Sequence, residues 1–383
     1  MNPEEDTNPG EDPGEPLLPG YGHGTLADLS QSLLASAGVP GASNVLGLPE
    51  ASRVCLLLVD GLGWDLLRAH AAAAPFLSGL AGRRLTAGFP ATTVTSLTSL
   101  GTARPPGQHG MLGYQVRIPA TGHLVNLLRW DKPVDPIEWQ PGETIFERAA
   151  AAGIGAFRVA SGAFRHSGLS AAAMRGADYR SAETPGALVA RTATAVAERP
   201  RALAMVYTGD LDSTGHALGC ESAAWQFQLS HTDRLAEQLA AALPAGTALH
   251  VTADHGMVDV PPGGRTDADT VPELRAGVTL LGGEGRARHV YARPGAAADV
   301  LAAWQGVLGE RAWTVSREEA IDSGWFGPVD WDLAARIGDV ISAARGSAAV
   351  VATVTEPRES ALIGMHGSLT PAEQRVPLVS YVA

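Results

Sequence analysis

Three apolar runs in this 383-residue chain end in carboxylates. CLLLVD delivers Asp60, LAMVYTGDLD delivers Asp210 and Asp212, and LHVTAD delivers Asp254. Two of them carry a histidine close by: DSTGH couples Asp212 to His216, and DHG couples Asp254 to His255. Carboxylates gathered at one place repel one another unless cations lie between them. Mixed Asp and His donors without Cys suit zinc or manganese, and two such sets suit two metals. Taken singly the residues are less telling. Asp60 could equally cap the helix that follows it, and Asp210 reads as a neighbour of the site rather than a ligand.

A second chemical feature lies in FPATTVTSLTSLGTARPPGQHG, Phe89 to Gly110, which places seven hydroxyl side chains between Thr92 and Thr102. Ser and Thr compete with the backbone for hydrogen bonds, so such a segment behind Phe-Pro reads as a helix N-terminus or a loop. A hydroxyl is a weak nucleophile at its own pKa, but metal coordination and a helix N-terminus both favour its alkoxide. Two metals stabilise the attacking and leaving oxygens of an in-line displacement, for which phosphorus is the usual target. A phosphoryl oxygen could then rest on the free N–H groups of the same helix end. The residues taken together point to phosphoryl transfer.

The elements that must position these groups follow from periodicity. RVCLLLVDG, Arg53 to Gly61, is a short continuous apolar run ending in Asp-Gly, as expected of a buried parallel strand. GAFRVAS, RALAMVYT and TALHVT read as further strands. Helical spacing marks LADLSQSLLASAGV, WDLLRAHAAAAPFLSGLAG, ETIFERAAAAGI and AAWQFQLSHTDRLAEQLAAAL, whereas the segment through DSTGH reads as a polar loop. Alternating strands and helices predict an α/β fold with a mostly parallel sheet, whose strand ends lie along one edge and bring the acids together. From 260 to about 349 the pattern loosens, as for a smaller subdomain or a set of insertions. The opening residues 1–24 are acidic and rich in Pro and Gly, predicting a disordered or loosely draped arm ahead of a catalytic domain over 25–383.

Composition sets the outer limits. The chain is 45% hydrophobic and 18% charged, enough for one large core or two modest ones. A net charge of -12 argues against a nucleic-acid track, although a few local cations suffice for a small anionic substrate. Cys55 and Cys220 are too few and too far apart for a disulfide framework or a zinc knuckle. The N-terminal stretch lacks the pattern of a signal peptide, and no apolar run approaches the roughly 20 residues that span a bilayer. No membrane association is expected, and a cytoplasmic location is.

VDGLG, FPATTVTSLTSLGTARPPGQHGM, DSTGHALG, TADHGMVD and the late GMHGS occur in an order and spacing that resembles the alkaline phosphatase superfamily. The chain is most similar to its nucleotide pyrophosphatase/phosphodiesterase branch, the type I phosphodiesterases, from about Arg53 to the C-terminus. DSTGH together with TADHGM is the specific part of the match. The resemblance implies an alkaline-phosphatase-like α/β fold, with a mostly parallel central sheet, helices on both faces and a smaller inserted subdomain. It implies two zinc ions, with manganese or iron as alternatives, one held by Asp212, His216 and His366 and the other by Asp60, Thr93, Asp254 and His255. It also implies Thr93, rather than Thr92, as the nucleophile. The activity implied is hydrolysis of phosphodiester or pyrophosphate bonds in a small phosphorylated substrate, a nucleotide among the options, through a phosphothreonyl intermediate.

The chain departs from the family pattern after the nucleophile. Family members commonly carry Phe-Pro-Asn-His there, whereas VTSL puts Ser96 where an Asn would touch a phosphoryl oxygen. A phosphate monoesterase and a phosphonate hydrolase remain alternatives on the same metals. A catalytically silent nucleotide-binding protein is the contrasting non-enzymatic reading. A sulfatase is not expected, because TTVTSL lacks the C/S-x-P-x-R context.

Overall fold

The computed structural model describes residues 14–383. Its main sheet has seven strands: β1 (Arg53–Val59), β2 (Gly82–Thr86), β3 (Gly155–Ala160), β4 (Asp178–Ser181), β5 (Ala202–Thr208), β6 (Thr247–Thr252) and β11 (Arg375–Val382). Their spatial order is β2-β11-β6-β1-β5-β3-β4. β1 pairs in parallel with both β5 and β6, and β3 pairs in parallel with β4 and β5. β11 runs antiparallel to its neighbours β6 and β2. Central position explains composition: β1 is buried from Val54 to Val59 and β6 along its whole length, so neither face tolerates a polar alternation. Helices flank the sheet, and the mostly parallel α/β architecture expected from the sequence is the one observed.

Between β6 and β11 the chain builds a second sheet from β7 (Val278–Glu284), β8 (Ala287–Ala292), β9 (Ala312–Ser316) and β10 (Val340–Ala344), in the order β7-β8-β10-β9. All of its pairings are antiparallel. The Ala297–Leu308 helix contributes Val300, Trp304 and Leu308 to a cluster with Val290 and Val340 that is separate from the main core. This sheet occupies the stretch where the sequence pattern loosens.

Of the expected N-terminal arm, residues 1–13 lie outside the described residues. Residues 14–24 lie along the body: Leu17 N–H donates to the Leu369 carbonyl (2.8 Å), and Trp313 Nε1–H to that of Gly14 (3.2 Å). The Tyr21 hydroxyl donates to the Trp325 carbonyl (2.9 Å). A Pro/Gly-rich composition weakens intrinsic structure, but backbone groups laid along a folded surface still find partners. Among the described residues no helix is long and apolar enough to cross a membrane.

Candidate metal centre and active site

Strand register brings the acids together. Val59 pairs with Thr208 and Leu58 with Thr252, so β1, β5 and β6 all stop at one level. Asp60 is fixed there by its own N–H, which donates to the Thr208 carbonyl (3.0 Å), while Gly61 N–H donates to Asp254 Oδ1 (3.1 Å). The glycines of the DG and DHG motifs are steric requirements. Gly61 has φ +75°, and a Cβ on it would meet the Asp212 Cα at 3.1 Å; a Cβ on Gly256 would lie 1.9 Å from the Ala372 carbonyl oxygen.

The segment after β5 is not the loop its polarity suggests. Asp210–Leu218 is a helix that starts directly at the strand end, with Asp210 and Asp212 in its first turn, where acids favour the helix dipole. Helical spacing of four puts Asp212 and His216 on one face, with Oδ2 and Nε2 3.3 Å apart. The late HGS motif arrives by a short antiparallel pairing of Gly364–Met365 with Val258–Asp259. This seats His366 against His255, the rings stacked with centroids 3.6 Å apart.

All three imidazoles are oriented the same way. The Nδ1 atoms of His216, His255 and His366 lie against the carbonyls of Gly364 (2.7 Å), Gly256 (3.0 Å) and Ala91 (2.9 Å). With Nδ1–H donating, each Nε2 presents its lone pair to the carboxylates, as metal-bound histidines do. His255 Nε2 faces Asp60 Oδ1 at 3.4 Å and Asp254 Oδ2 at 3.5 Å, and His366 Nε2 faces Asp212 Oδ1 at 3.9 Å. Asp60 Oδ1, Asp212 Oδ1 and Asp254 Oδ2 are buried without a hydrogen-bond partner. Lone pairs facing unpaired carboxylate oxygens make a site that fits cations.

The electrostatics agree. Burial raises Asp60 and Asp212 well above the usual carboxylate range, and the neighbouring carboxylates raise them further; burial also lifts Asp254 to about 6. Burial lowers His216, brings His255 down to about 4, and holds His366 well below its usual value. Ligand atoms of Asp212, His216 and His366 lie within 4.8 Å of one another, and so do those of Asp60, Asp212 and His255. The first trio is the set expected for one metal. The second contains Asp212 beside Asp60 and His255; Asp254, whose Oδ1 accepts from the N–H groups of Gly61 and His255, keeps its unpartnered Oδ2 3.5 Å from His255 Nε2. Asp212 thus belongs to both trios.

The Thr93–Thr102 helix opens at this cluster. Thr93 Oγ1 lies 3.4 Å from Asp60 Oδ2 and 3.3 Å from His255 Nε2. Thr92 turns away and donates to Glu284 Oε2 at 3.2 Å. The structure does not bring Ser96 to the cavities. It is fully buried with its Oγ unpartnered, because the helix is buried from Val94 onward and only Thr93, Val94 and Leu97 of it line them.

Glu284, at the end of β7, was not anticipated. The second sheet carries it to 3.8 Å from His366 Nδ1, and burial pushes its pKa up to about 8. Between the ordinary glutamate value and about 8 the native state keeps a proton the unfolded chain has lost, so stability falls as pH rises through that window. In chelator-treated protein, Glu284→Gln is expected to gain on the order of 1–3 kcal/mol over the wild type between pH 5 and 8.5. Thermal melts of both proteins at the two pH values check this. Parallel melts at the two pH values would mean that Glu284 ionises freely in the fold.

Two cavities meet at Thr93, one of about 270 Å³ and one of about 520 Å³, sharing Thr93, Leu128 and Asp212. The smaller is lined by Glu284, His216 and His366, the larger by Asp60, Tyr207 and Arg158.

A strand-edge cluster of Asp and His at the mouth of a parallel sheet, with a helix-end threonine beside it, defines an α/β metallohydrolase architecture. The match to the family model of type I phosphodiesterase / nucleotide pyrophosphatase spans residues 54–369, and the chain belongs to that family, whose members hydrolyse phosphoester bonds. No curated protein sequence matches it. Among solved structures, murine ectonucleotide pyrophosphatase/phosphodiesterase 5 is similar at TM-score 0.68 and 18% identity, over 86% of this chain and 88% of that one. An inactive threonine-to-alanine variant of the murine protein, in complex with AMP, is similar at TM-score 0.68 and 17% identity, over 86% and 87%. Phosphonoacetate hydrolase from Sinorhizobium meliloti, in complex with phosphonoformate, is similar at TM-score 0.65 and 20% identity, over 87% and 90%. These likenesses establish the shared fold.

Proposed function

We propose that this chain is a two-metal hydrolase of phosphodiester or pyrophosphate bonds in small substrates, acting through a phosphothreonyl intermediate. The observation that carries the diester reading is the junction of two cavities at Thr93, one for each arm of a disubstituted phosphate. A monoester fills only one of them. The murine relative's inactive threonine-to-alanine variant in complex with AMP supports a threonine-dependent reaction and a nucleotide-sized substrate.

The metals, zinc or else manganese or iron, supply the positive charge that stabilises the attacking and leaving oxygens. Asp60, Asp254 and His255, with Asp212 at the border, would hold one beside Thr93; Asp212, His216 and His366 would hold the other. Thr93 Oγ attacks phosphorus, its proton passing toward Asp60 Oδ2, and the P–O bond to the leaving arm breaks. Tyr207 keeps Asp60 in place by donating its hydroxyl hydrogen to Oδ2 at 2.5 Å. The N–H groups of the first helical turn at Thr93 donate to a phosphoryl oxygen. Water then cleaves the phosphothreonine.

The test compares bis-p-nitrophenyl phosphate with p-nitrophenyl phosphate on one preparation supplied with zinc or manganese. Catalytic efficiency is expected to favour the diester by roughly 100-fold or more, the scale of an added well-filled pocket. A preference for the monoester would keep Thr93 and the ligands but move the function to a phosphatase.

A further inference from the structure

Among the described residues three arginines are exposed by 2% or less: Arg158, Arg286 and Arg288. Two are paired in the ordinary way. Arg286 places Nε and Nη2 on the two oxygens of Glu373, at 3.0 and 2.5 Å, and Arg288 Nη1 lies 2.7 Å from Glu356 Oε2. Arg158, on β3, has no carboxylate partner. Its Nη1 meets only the thioether sulfurs of Met205 (3.1 Å) and Met174 (3.5 Å), and its Nε meets nothing.

Thioether sulfur is a weak acceptor, and a buried cation without a counter-charge costs several kcal/mol. Tyr179, its partner across the strand pair, interacts with it electrostatically, and the Tyr207 ring centroid lies 5.5 Å from the Arg158 Cζ. Burial pulls the guanidinium pKa below its usual value, but arginine stays protonated in proteins. The side chain lines the larger cavity, the same one that Thr93 and Asp60 line, together with the hydroxyls of Ser161, Ser167, Ser170 and Thr184. Glu183, also on that cavity, accepts instead from Ser161 Oγ (2.6 Å) and Gly162 N–H (2.7 Å). A fork-shaped cation with no carboxylate within ion-pairing distance therefore lines the cavity proposed for substrate.

We propose that Arg158 determines specificity: the substrate arm entering the larger cavity carries an oxyanion, a carboxylate or a second phosphate, that pairs with this guanidinium. Carboxylate and phosphate share the planar oxygen pair that an arginine fork grips. The inference rests on the hydrolase reading above for the position of the reacting phosphorus. It narrows the substrate class to diesters with a second anionic group, and it accounts for a buried arginine without a carboxylate partner on the cavity that Thr93 also lines.

The test uses three p-nitrophenyl phosphodiesters whose other arm is propyl, 2-carboxyethyl or 2-phosphoryloxyethyl, with metal-loaded full-length enzyme. The wild type is expected to favour an anionic arm over propyl by roughly 10–100-fold in kcat/KM, mostly through KM, and the stronger of the two anionic substrates identifies the group. In Arg158→Met and Arg158→Gln that ratio is expected to fall to near one, whatever loss of activity the two substrates share. Arg158→Lys should retain a clear preference, because one charge remains. No preference in the wild type, an unchanged ratio in the neutral variants, or an Arg158→Lys ratio as low as theirs would each overturn the proposal. If the wild type cleaves none of the three, the hydrolase reading fails while the anion site is still tested. Calorimetric titration of 3-phosphonopropionate against propylphosphonate must then show tighter binding of the former in the wild type only, and equal affinities would overturn it.

Discussion

Thr93→Ala is expected to lower turnover of a phosphodiester by at least ~10³-fold while metal content stays at the wild-type level. The two halves of this result come from different atoms. Thr93 Oγ1 is the one hydroxyl placed between Asp60 Oδ2 (3.4 Å) and His255 Nε2 (3.3 Å), so its removal takes away the attacking group. The two trios that fit cations are built from Asp60, Asp212, His216, His255 and His366; of the two that touch that hydroxyl, Asp60 is also held by Tyr207 and His255 by the Gly256 carbonyl. Thr92→Ala is the informative control, because Thr92 donates to Glu284 and not to the acid cluster. It should retain most of the activity. Turnover and metal content together, measured on one preparation of each variant, separate loss of the nucleophile from loss of the ions. Unchanged turnover in Thr93→Ala would remove the covalent mechanism, and a greater loss in Thr92→Ala would transfer the nucleophile to its neighbour.

What was legible in the sequence was what burial enforces. A strand at the centre of a parallel sheet must be apolar on both faces, so CLLLVD and LHVT announce themselves, and the acid at each end marks the sheet edge. The DSTGH helix is hidden in the sequence because its own residues are polar and rich in poor helix formers. Its helicity comes from following a strand end directly and packing against the Ala223–Ala242 helix and the Gly364–Met365 strand. Glu284 was illegible for another reason: it lies 192 residues from Thr92 in sequence, on a sheet whose position over the site no local pattern encodes. Arg158 shows the same limit. An arginine inside GAFRVAS looks like an ordinary strand residue until the absence of a partner can be seen in three dimensions.

Asp212→Asn is expected to affect both metals where substitution of another ligand affects chiefly one. Asp212 contributes ligand atoms to the trio with His216 and His366 and to the trio with Asp60 and His255. Removing its charge should reduce metal content toward one ion per chain or less and lower kcat/KM by ~10⁴-fold or more, because a two-metal mechanism loses both of its oxygen-stabilising charges together. His216→Ala should leave the trio around Asp60 and His255 intact and lose metal at one position. Stability supplies a second readout, independent of turnover. In the metal-free protein, burial and the charges of Asp60 and Asp254 raise the Asp212 pKa, so at neutral pH its ionised form opposes folding. Asp212→Asn should therefore melt higher than the wild type after chelation at pH 8 and lower once zinc is added. The reversal is the signature of a carboxylate that repels its neighbours until cations lie between them. A variant that melts below the wild type under both conditions would show instead that Asp212 is held mainly by contacts within the fold.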